Sequence, residues 1–392
     1  MKNHGRVDSV KSFAAFSANL ALLVIYFLFS ETVLDLTVFK DAKNDYDYYE
    51  NLVLSGEENE NAKKFKRDLA SIGSERGISI PGTIIYKYKP AVRETLTFNS
   101  DGFRNKEFGK KEKNEFRIAV FGDSKVLGFS REEDTLPSIV EKNLRKRFNR
   151  NITVLNMGVE AYDMQREIAA AQYYNEKIEP DMVVFYSGIN DIRGTFIYGN
   201  INWEPFKGDE TFSPSIEESI SGKIRVLNTL KQTYISDRAK ITARIQESDF
   251  AVLPVPAQKA EFAEKFPGTF LGRISGAAAY FEKLGILSVF ILSPQIQTKK
   301  PLSDIEKQIL YLNEISFPGI NLFSLKCIDG LKNALKTGKY SGNIIDHSEI
   351  FNRNPDTVFY DGIHYTPKAL RVEADKMTED IMKILESGKY FE

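Results

Sequence analysis

The chain has 392 residues, 42% of them hydrophobic, with 28 Phe and 18 Tyr, enough for one large domain or two ordinary ones. Lys and Arg total 53 against 54 Asp and Glu, and the net charge of -1 gives no electrostatic footing for a nucleic-acid partner. The single cysteine, Cys327, excludes an internal disulfide framework, and only His4, His347 and His364 can supply an imidazole.

Ser12 to Ser30 is uncharged, and at about nineteen residues it is close to the length a membrane-crossing helix needs. Lys2, Arg6 and Lys11 precede it and Glu31 and Asp35 follow. The positive-inside tendency then places residues 1–11 in the cytoplasm and the bulk of the chain outside the cytoplasmic (inner) membrane, on the periplasmic side. A cleaved signal peptide fits less well, because the apolar run is long and no small-x-small site follows it. A buried soluble helix is the third reading. Residues 31–90 read as a stalk and approach segment. Within it Asp41, Asp45 and Asp47 lack the glycine and spacing of a calcium loop, and Glu57 to Arg67 is charged throughout, as a stalk or peripheral helix would be. Ile80 to Tyr88 has the β-branched character of an edge strand, and Asn99 to Arg104 (NSDGFR) reads as a turn.

From Phe116 the chain alternates strand and helix. Strands are expected at Phe116–Phe121, Ile152–Asn156, Asp181–Ser187, Gly285–Leu292 and Asn343–Asp346. Helices fit at Asp134–Phe148, Asp163–Lys177, Gly272–Leu284, Ser303–Ile315, Asn321–Leu335 and Thr366–Glu386, with Asp163 as an N-cap. The basic cluster Arg145, Lys146 and Arg147 closes the first of these, where positive charge complements the helix dipole. Such alternation predicts a parallel five-stranded sheet with helices on both faces. Three strands in succession end in polar, glycine-bearing loops: Gly122-Asp123-Ser124, Asn156-Met157-Gly158 and Gly188-Ile189-Asn190. In a parallel sheet these loops share one edge, the edge where ligands bind.

A serine at that edge can attack an acyl carbon if a base takes its proton and a carboxylate orients the base. Asp361 and His364, three residues apart just before the last helix, can sit on one turn and reach Ser124. The oxyanion that forms needs donors. The backbone N–H groups of Ser124 and Gly158 and the side-chain amide of Asn190 are the candidates. His347, after Asp346, lacks a following helix and reads as structural. A zinc site built from His347, His364 and Cys327 has no visible spacing to support it.

These blocks resemble the SGNH (GDSL-type) hydrolase family: GDS at Ser124, a glycine block at Gly158, GIND with Asn190, and DGIH with Asp361 and His364, in order over about the last 290 residues. The segments Asn99–Arg104 and Ile291–Lys300 (ILSPQIQTKK) look like those of bacterial members. The resemblance implies a flavodoxin-like three-layer α/β/α fold, here preceded by one transmembrane helix. It implies acyl-ester hydrolysis or transfer without metal or cofactor, with Ser124 as nucleophile, His364 as base and Asp361 as its partner. Ser124, Gly158 and Asn190 would form the oxyanion hole. Residues 91–392 would be the catalytic domain, and the long stretch 195–268, with Trp203, Phe206, Phe212, Phe262 and Phe266, a cap over the pocket. Lys125, next to the nucleophile, departs from many relatives; a cation there would favour an anionic substrate or point to solvent, and the second is expected. The sequence G-D-S-K-V is not G-x-S-x-G, so an α/β-hydrolase elbow is a poor match.

The resulting expectation is a membrane-anchored esterase or O-acyltransferase acting on acyl, chiefly acetyl, esters of cell-surface glycan. The alternatives are a lipase or lysophospholipase, favoured by a long apolar groove, and a non-catalytic glycan-binding or scaffold component of an envelope assembly. Oligomeric state is left open.

Overall fold

Residues 54, 56–72, 78–199, 253–388 and 390 are described by the computed structural model. The charged run that starts them folds as helix α1, Gly56–Ser71. Ala62, Phe65 and Leu69 recur at helical spacing and are buried, while Glu60, Lys63, Lys66 and Arg67 are exposed. Phe65 meets Phe129 edge-on at 5.5 Å between ring centroids, so within the segment read as a stalk this helix packs onto the core. The edge strand expected over Ile80–Tyr88 is instead a two-residue hairpin, β1 (Ile78–Ser79) against β2 (Tyr86–Lys87). Pro81 and Gly82, the latter at φ +75°, turn the chain before a longer ladder can form. A second small hairpin pairs β3 (Ala91–Val92) with β4 (Thr97–Phe98).

The main sheet follows. Strand β5 (Phe116–Gly122) leads into a one-turn helix α2 (Ser124–Leu127) and then helix α3 (Leu136–Phe148). Next come β6 (Ile152–Gly158), α4 (Met164–Ile178), β7 (Met182–Ser187) and α5 (Ile189–Tyr198). After residues 200–252, which lie outside the described set, come α6 (Ala257–Lys283), β8 (Leu287–Leu292), α7 (Asp304–Ser316), α8 (Ile320–Leu335), β9 (Asn343–Asp346) and α9 (Pro367–Ser387). All pairings in the sheet are parallel, in the order β6-β5-β7-β8-β9. Alternate residues of a strand face opposite sides. Ile118 and Val120 on one side and Ala119 and Phe121 on the other are all fully buried, so helices cover both faces. Helices α3 and α9 pack together on one face, and α4, α6 and α8 on the other. The chain is therefore a three-layer α/β fold with a parallel five-stranded sheet.

The order places the first strand in sequence between the second and the third. Chain direction switches sides at β5, and the crevice beyond its carboxyl end is the topological switch point. Ser124 stands there.

Helix α6 begins fifteen residues earlier than its expected start, Ala257 against Gly272. Pro267, Gly268 and Gly272 read as breakers, but the apolar stripe Ala263, Phe266, Phe270, Ile274, Ala277 and Phe281 is buried along the whole length and overrides them. Gly330 accommodates the proline: a Cβ there would come within 2.6 Å of the Pro267 ring. The cap expected at 195–268 falls mostly on residues outside the described set. Its last part, from Ala257, is this helix.

The membrane expectation is corrected. Ser12–Ser30 lies outside the described residues, and among the described residues no helix is long and apolar enough to cross a membrane. The two longest helices carry charges along their length, Lys259, Glu264, Lys265 and Arg273 on α6 and Lys368, Arg371, Glu373 and Asp380 on α9. The anchored, periplasmic placement and the membrane as a partner are withdrawn.

Candidate active site

The turn after β5 is shaped by Asp123. Its extended backbone ends the strand, and its Oδ1 accepts the Lys125 N–H at 2.8 Å, capping α2. Gly122 allows the close approach: a Cβ there would strike Val126 at 2.3 Å. Ser124 is 6% exposed, with its hydroxyl 2.8 Å from His364 Nε2.

His364 is held from the other end of the chain. Phe359 and Tyr365 bridge antiparallel, Tyr360 N–H donates to the His364 carbonyl at 3.2 Å, and Thr366 N–H donates to Val358 O at 2.7 Å. Thr366 then caps α9 through its hydroxyl, with Pro367 in the first turn. Inside this loop Asp361 Oδ1 accepts the N–H groups of Ile363 and His364, both at 2.7 Å, and Oδ2 meets His364 Nδ1 at 2.6 Å. Burial alone would raise the Asp361 pKa. The charge of His364, its hydrogen bond and the two backbone donors outweigh burial and hold the carboxyl below its ordinary value. With Nδ1–H aimed at Asp361, Nε2 carries the lone pair that faces Ser124 Oγ. The rings of Phe129 (edge-on, 4.6 Å) and Tyr360 (stacked, 5.8 Å) fix the imidazole plane.

The structure thus brings Ser124, His364 and Asp361 into one hydrogen-bonded chain. The candidate oxyanion donors are placed differently. Ser124 N–H opens α2 and has no acceptor within that helix. Asn190 Nδ2 donates one N–H to Tyr162 O at 2.9 Å and makes a long second contact of 3.5 Å with Asp123 Oδ2. Gly158 pairs in register with Gly122, but its N–H is donated to Asn156 Oδ1 at 3.0 Å. Its missing side chain matters more: a Cβ would fall 2.3 Å from the Leu127 nitrogen. Gly158 lets β6 lie against the backbone of α2.

Lys125 does not point to solvent. Its side chain is 1% exposed, with Nζ 2.7 Å from Ser293 Oγ and 3.6 Å from Asp123 Oδ2. The expectation failed because Ser293 and the rings of Tyr186 and Tyr365, which Nζ faces at 5.4 and 5.7 Å, come from three other stretches of the chain. His347 is equally enclosed, with Nδ1 2.7 Å from Glu373 and Nε2 3.0 Å from Asp380. Burial lowers its pKa, but the two carboxylates win and raise it. Both ring nitrogens are taken up in this contact. Cys327 sits in the apolar core.

Two supports were missed by sequence reasoning. Arg104 is buried and spends its whole guanidinium: Nη1 donates to Leu127 O and Gly128 O at 3.0 Å, Nη2 to Thr95 O and Ser130 O, and Nε to Glu132. It clamps the chain that follows Ser124. Glu306 completes a capping box with Ser303 on α7, and its Oε1 also accepts the N–H groups of Val358 and Phe359 at 2.9 and 3.2 Å. It thereby holds the loop that bears Asp361 and His364. The S-x-x-E pattern was visible, but the reach to Val358 was not. Glu306 also pairs with Lys299 at 2.6 Å, both side chains being at most 1% exposed. Glu306→Leu leaves that ammonium buried and unpaired, and an unfolding free energy lower by about 3–5 kcal/mol is expected in urea denaturation.

Behind Asn190 lies Asp191, fully enclosed, accepting from Met164 N–H at 3.1 Å and from Ser187 Oγ at 3.0 Å. Burial first, then the charge of Asp163, pushes its pKa up to about 7. The folded state therefore keeps a proton that the unfolded chain releases from about pH 4 upward, and the stability this proton confers is lost as pH rises through 7. Asp191→Asn is expected to flatten the fall in Tm between pH 5 and 8, measured by calorimetry.

A narrow cavity of about 50 Å³ opens beside His364, walled by Leu54, Ala62, Phe129, Tyr360 and Leu370. Helix α1 forms its roof through Ala62.

No family model matches the chain, and no curated protein does. The expected membership of the SGNH family, as a membrane-anchored member, is corrected accordingly. Solved structures similar to it include LAE5, an alpha/beta hydrolase enzyme from the metagenome of Lake Arreo, Spain, at 14% identity and TM-score 0.37, covering 68% of this chain and 94% of that one. The esterase EstA of Pseudoalteromonas sp. gives 10% and 0.35, covering 69% and 98%. Est24, a carbohydrate acetylesterase of Sinorhizobium meliloti, gives 13% and 0.34, covering 69% and 99%. At such scores the likeness carries no argument, and the chemistry rests on the geometry above.

Proposed function

We propose that the chain is a serine esterase that cleaves short acyl esters. The observation that carries this reading is the unbroken contact Ser124 Oγ–His364 Nε2–Nδ1–Asp361, at 2.8 and 2.6 Å, at the sheet's switch point. Ser124 Oγ attacks the acyl carbon while Nε2 takes its proton. Asp361 stabilises the imidazolium that forms. Ser124 N–H and the Asn190 amide receive the oxyanion, and the Gly158 N–H joins them if Asn156 releases it. His364 returns the proton to the leaving alcohol, and a water or a second hydroxyl, activated by the same base, takes the acyl group from Ser124. Hydrolysis and transfer use the same residues.

The cavity beside His364 supports a short acyl group. It is narrow, about 50 Å³, and walled largely by apolar side chains, which suits a short acyl group better than a fatty chain. This speaks against the lipase reading. Acetyl is the acyl group proposed, and a glycan hydroxyl the alcohol. Turnover of nitrophenyl esters of two to twelve carbons tests the first part, and acetylated oligosaccharides the second. The expected optimum is at two to four carbons. An optimum at eight or more overturns the short-acyl reading, and no turnover by the folded protein overturns the esterase.

A further inference from the structure

The residue beside the nucleophile is a buried lysine that the mechanism above does not use: burial lowers the Lys125 pKa, and the carboxylate of Asp123 opposes that shift. Lys125 Nζ donates to Ser293 Oγ, which is itself hydrogen-bonded to Tyr365, the residue after His364. Tyr365 in turn donates to Pro294 O at 3.1 Å and touches Tyr186 OH at 3.0 Å. The neighbour of the nucleophile is thereby tied to the neighbour of the base through the end of β8. Lys125 also faces Asp123, whose carboxylate is buried between Nζ at 3.6 Å and the Asn190 amide at 3.5 Å. That carboxylate is on the backbone residue before Ser124 and against a proposed oxyanion donor. Left uncompensated in a poorly solvated site, it would oppose every negative charge that develops on the acyl oxygen.

We propose that Lys125 is an electrostatic positioning residue: it compensates Asp123, so that the Asn190 amide and the Ser124 N–H act on the oxyanion without an opposing carboxylate, and it ties the nucleophile's turn to the base's loop. The inference rests on the esterase reading and adds a residue to it. The acidic groups facing Lys125 are Asp123, Glu373 and Glu167, the last with its pKa pushed well up by burial, together with the hydroxyls of Tyr186 and Tyr365. Glu373 is in turn engaged by His347, whose other partner Asp380 binds Lys376 and Lys383. His364 faces Asp361, Ser124 and the rings of Phe129 and Tyr360.

The test compares four forms of the full chain on nitrophenyl acetate: wild type, Lys125→Met, Asp123→Asn and the double variant. Asparagine keeps the oxygen that caps α2. Lys125→Met is expected to lower kcat ~100-fold, the scale of one lost oxyanion donor, with KM within about twofold. The acid limb of its kcat/KM profile moves to higher pH, since losing a nearby cation eases protonation of the base. Asp123→Asn alone moves that limb to lower pH. In the double variant kcat recovers at least ~10-fold over Lys125→Met, because the charge that needed compensation is gone. A Lys125→Met enzyme with wild-type kcat and an unmoved limb overturns the proposal, as does a double variant no faster than Lys125→Met. If Lys125→Met fails to fold, Asp123→Asn decides, and an unmoved limb overturns the proposal. A folded wild type without turnover removes the esterase reading and this inference together. An active wild type with unmoved limbs removes this inference alone.

Discussion

Ser124→Ala is expected to abolish turnover of short esters, with kcat falling by ~10⁶, the scale on which serine hydrolysis is lost when the nucleophile goes. The loss is chemical and not structural. Ser124 contributes one side-chain contact, the 2.8 Å hydrogen bond to His364, while α2 is capped by Asp123 and clamped by Arg104. The Tm should therefore stay within a degree or two of wild type, an effect on the order of 0.5 kcal/mol or less. Kinetics on nitrophenyl acetate beside a thermal melt separates the two. A variant that keeps more than a hundredth of wild-type kcat would mean that Ser124 is not the nucleophile.

Asp361→Asn is expected to cost ~10⁴ in kcat with KM little changed. Both oxygens of Asp361 are committed, Oδ1 to two backbone N–H groups and Oδ2 to His364 Nδ1. An asparagine keeps its oxygen on the backbone donors and turns its NH₂ toward Nδ1. That donor forces the proton onto Nε2, where it faces the serine hydroxyl, and the base can no longer accept. The pH dependence separates this from a simple charge effect. The Asp361 pKa is depressed in the fold, so its contribution is present above the ordinary aspartate range and is lost only as pH falls below that range. Above about pH 5 the loss of Asp361's charge therefore does not limit the wild type. A variant that loses activity only below pH 5 would contradict the orienting role.

Why some of this can be read from the sequence and some cannot has a physical basis. The central strands are short apolar runs covered on both faces, and such runs announce themselves. Observed bounds differ from expected ones by at most two residues at β6, β7, β8 and β9. The glycine-bearing polar loops at their ends mark the functional edge, because a parallel sheet leaves them no other place. Local signals fail where a distant partner decides. Helix α6 runs through Pro267 because Gly330, sixty-three residues on, makes room for the ring. Ile80–Tyr88 is not one edge strand because the Pro81-Gly82 turn brings Tyr86–Lys87 back against Ile78–Ser79. Lys125 looks like a surface lysine until Ser293, Tyr186 and Tyr365 close around it. Glu306 looks like an ordinary helix cap until its second oxygen reaches Val358. The Gly158 N–H reads as a free donor, and only the fold shows it given to Asn156. Hydropathy over Ser12–Ser30 suggested an anchor, and the charged helices of the described chain give it no support.

The central claim is that Ser124 carries the acyl group. The direct measurement is to treat the folded chain with a phosphonofluoridate ester, which traps an activated serine, and to locate the adduct by peptide mass spectrometry. The account predicts one adduct per chain, on the peptide containing Ser124, and at least ~10³-fold slower labelling in His364→Ala, where the base is gone. A label on another serine with Ser124 unmodified, or equal labelling rates in wild type and His364→Ala, would contradict it.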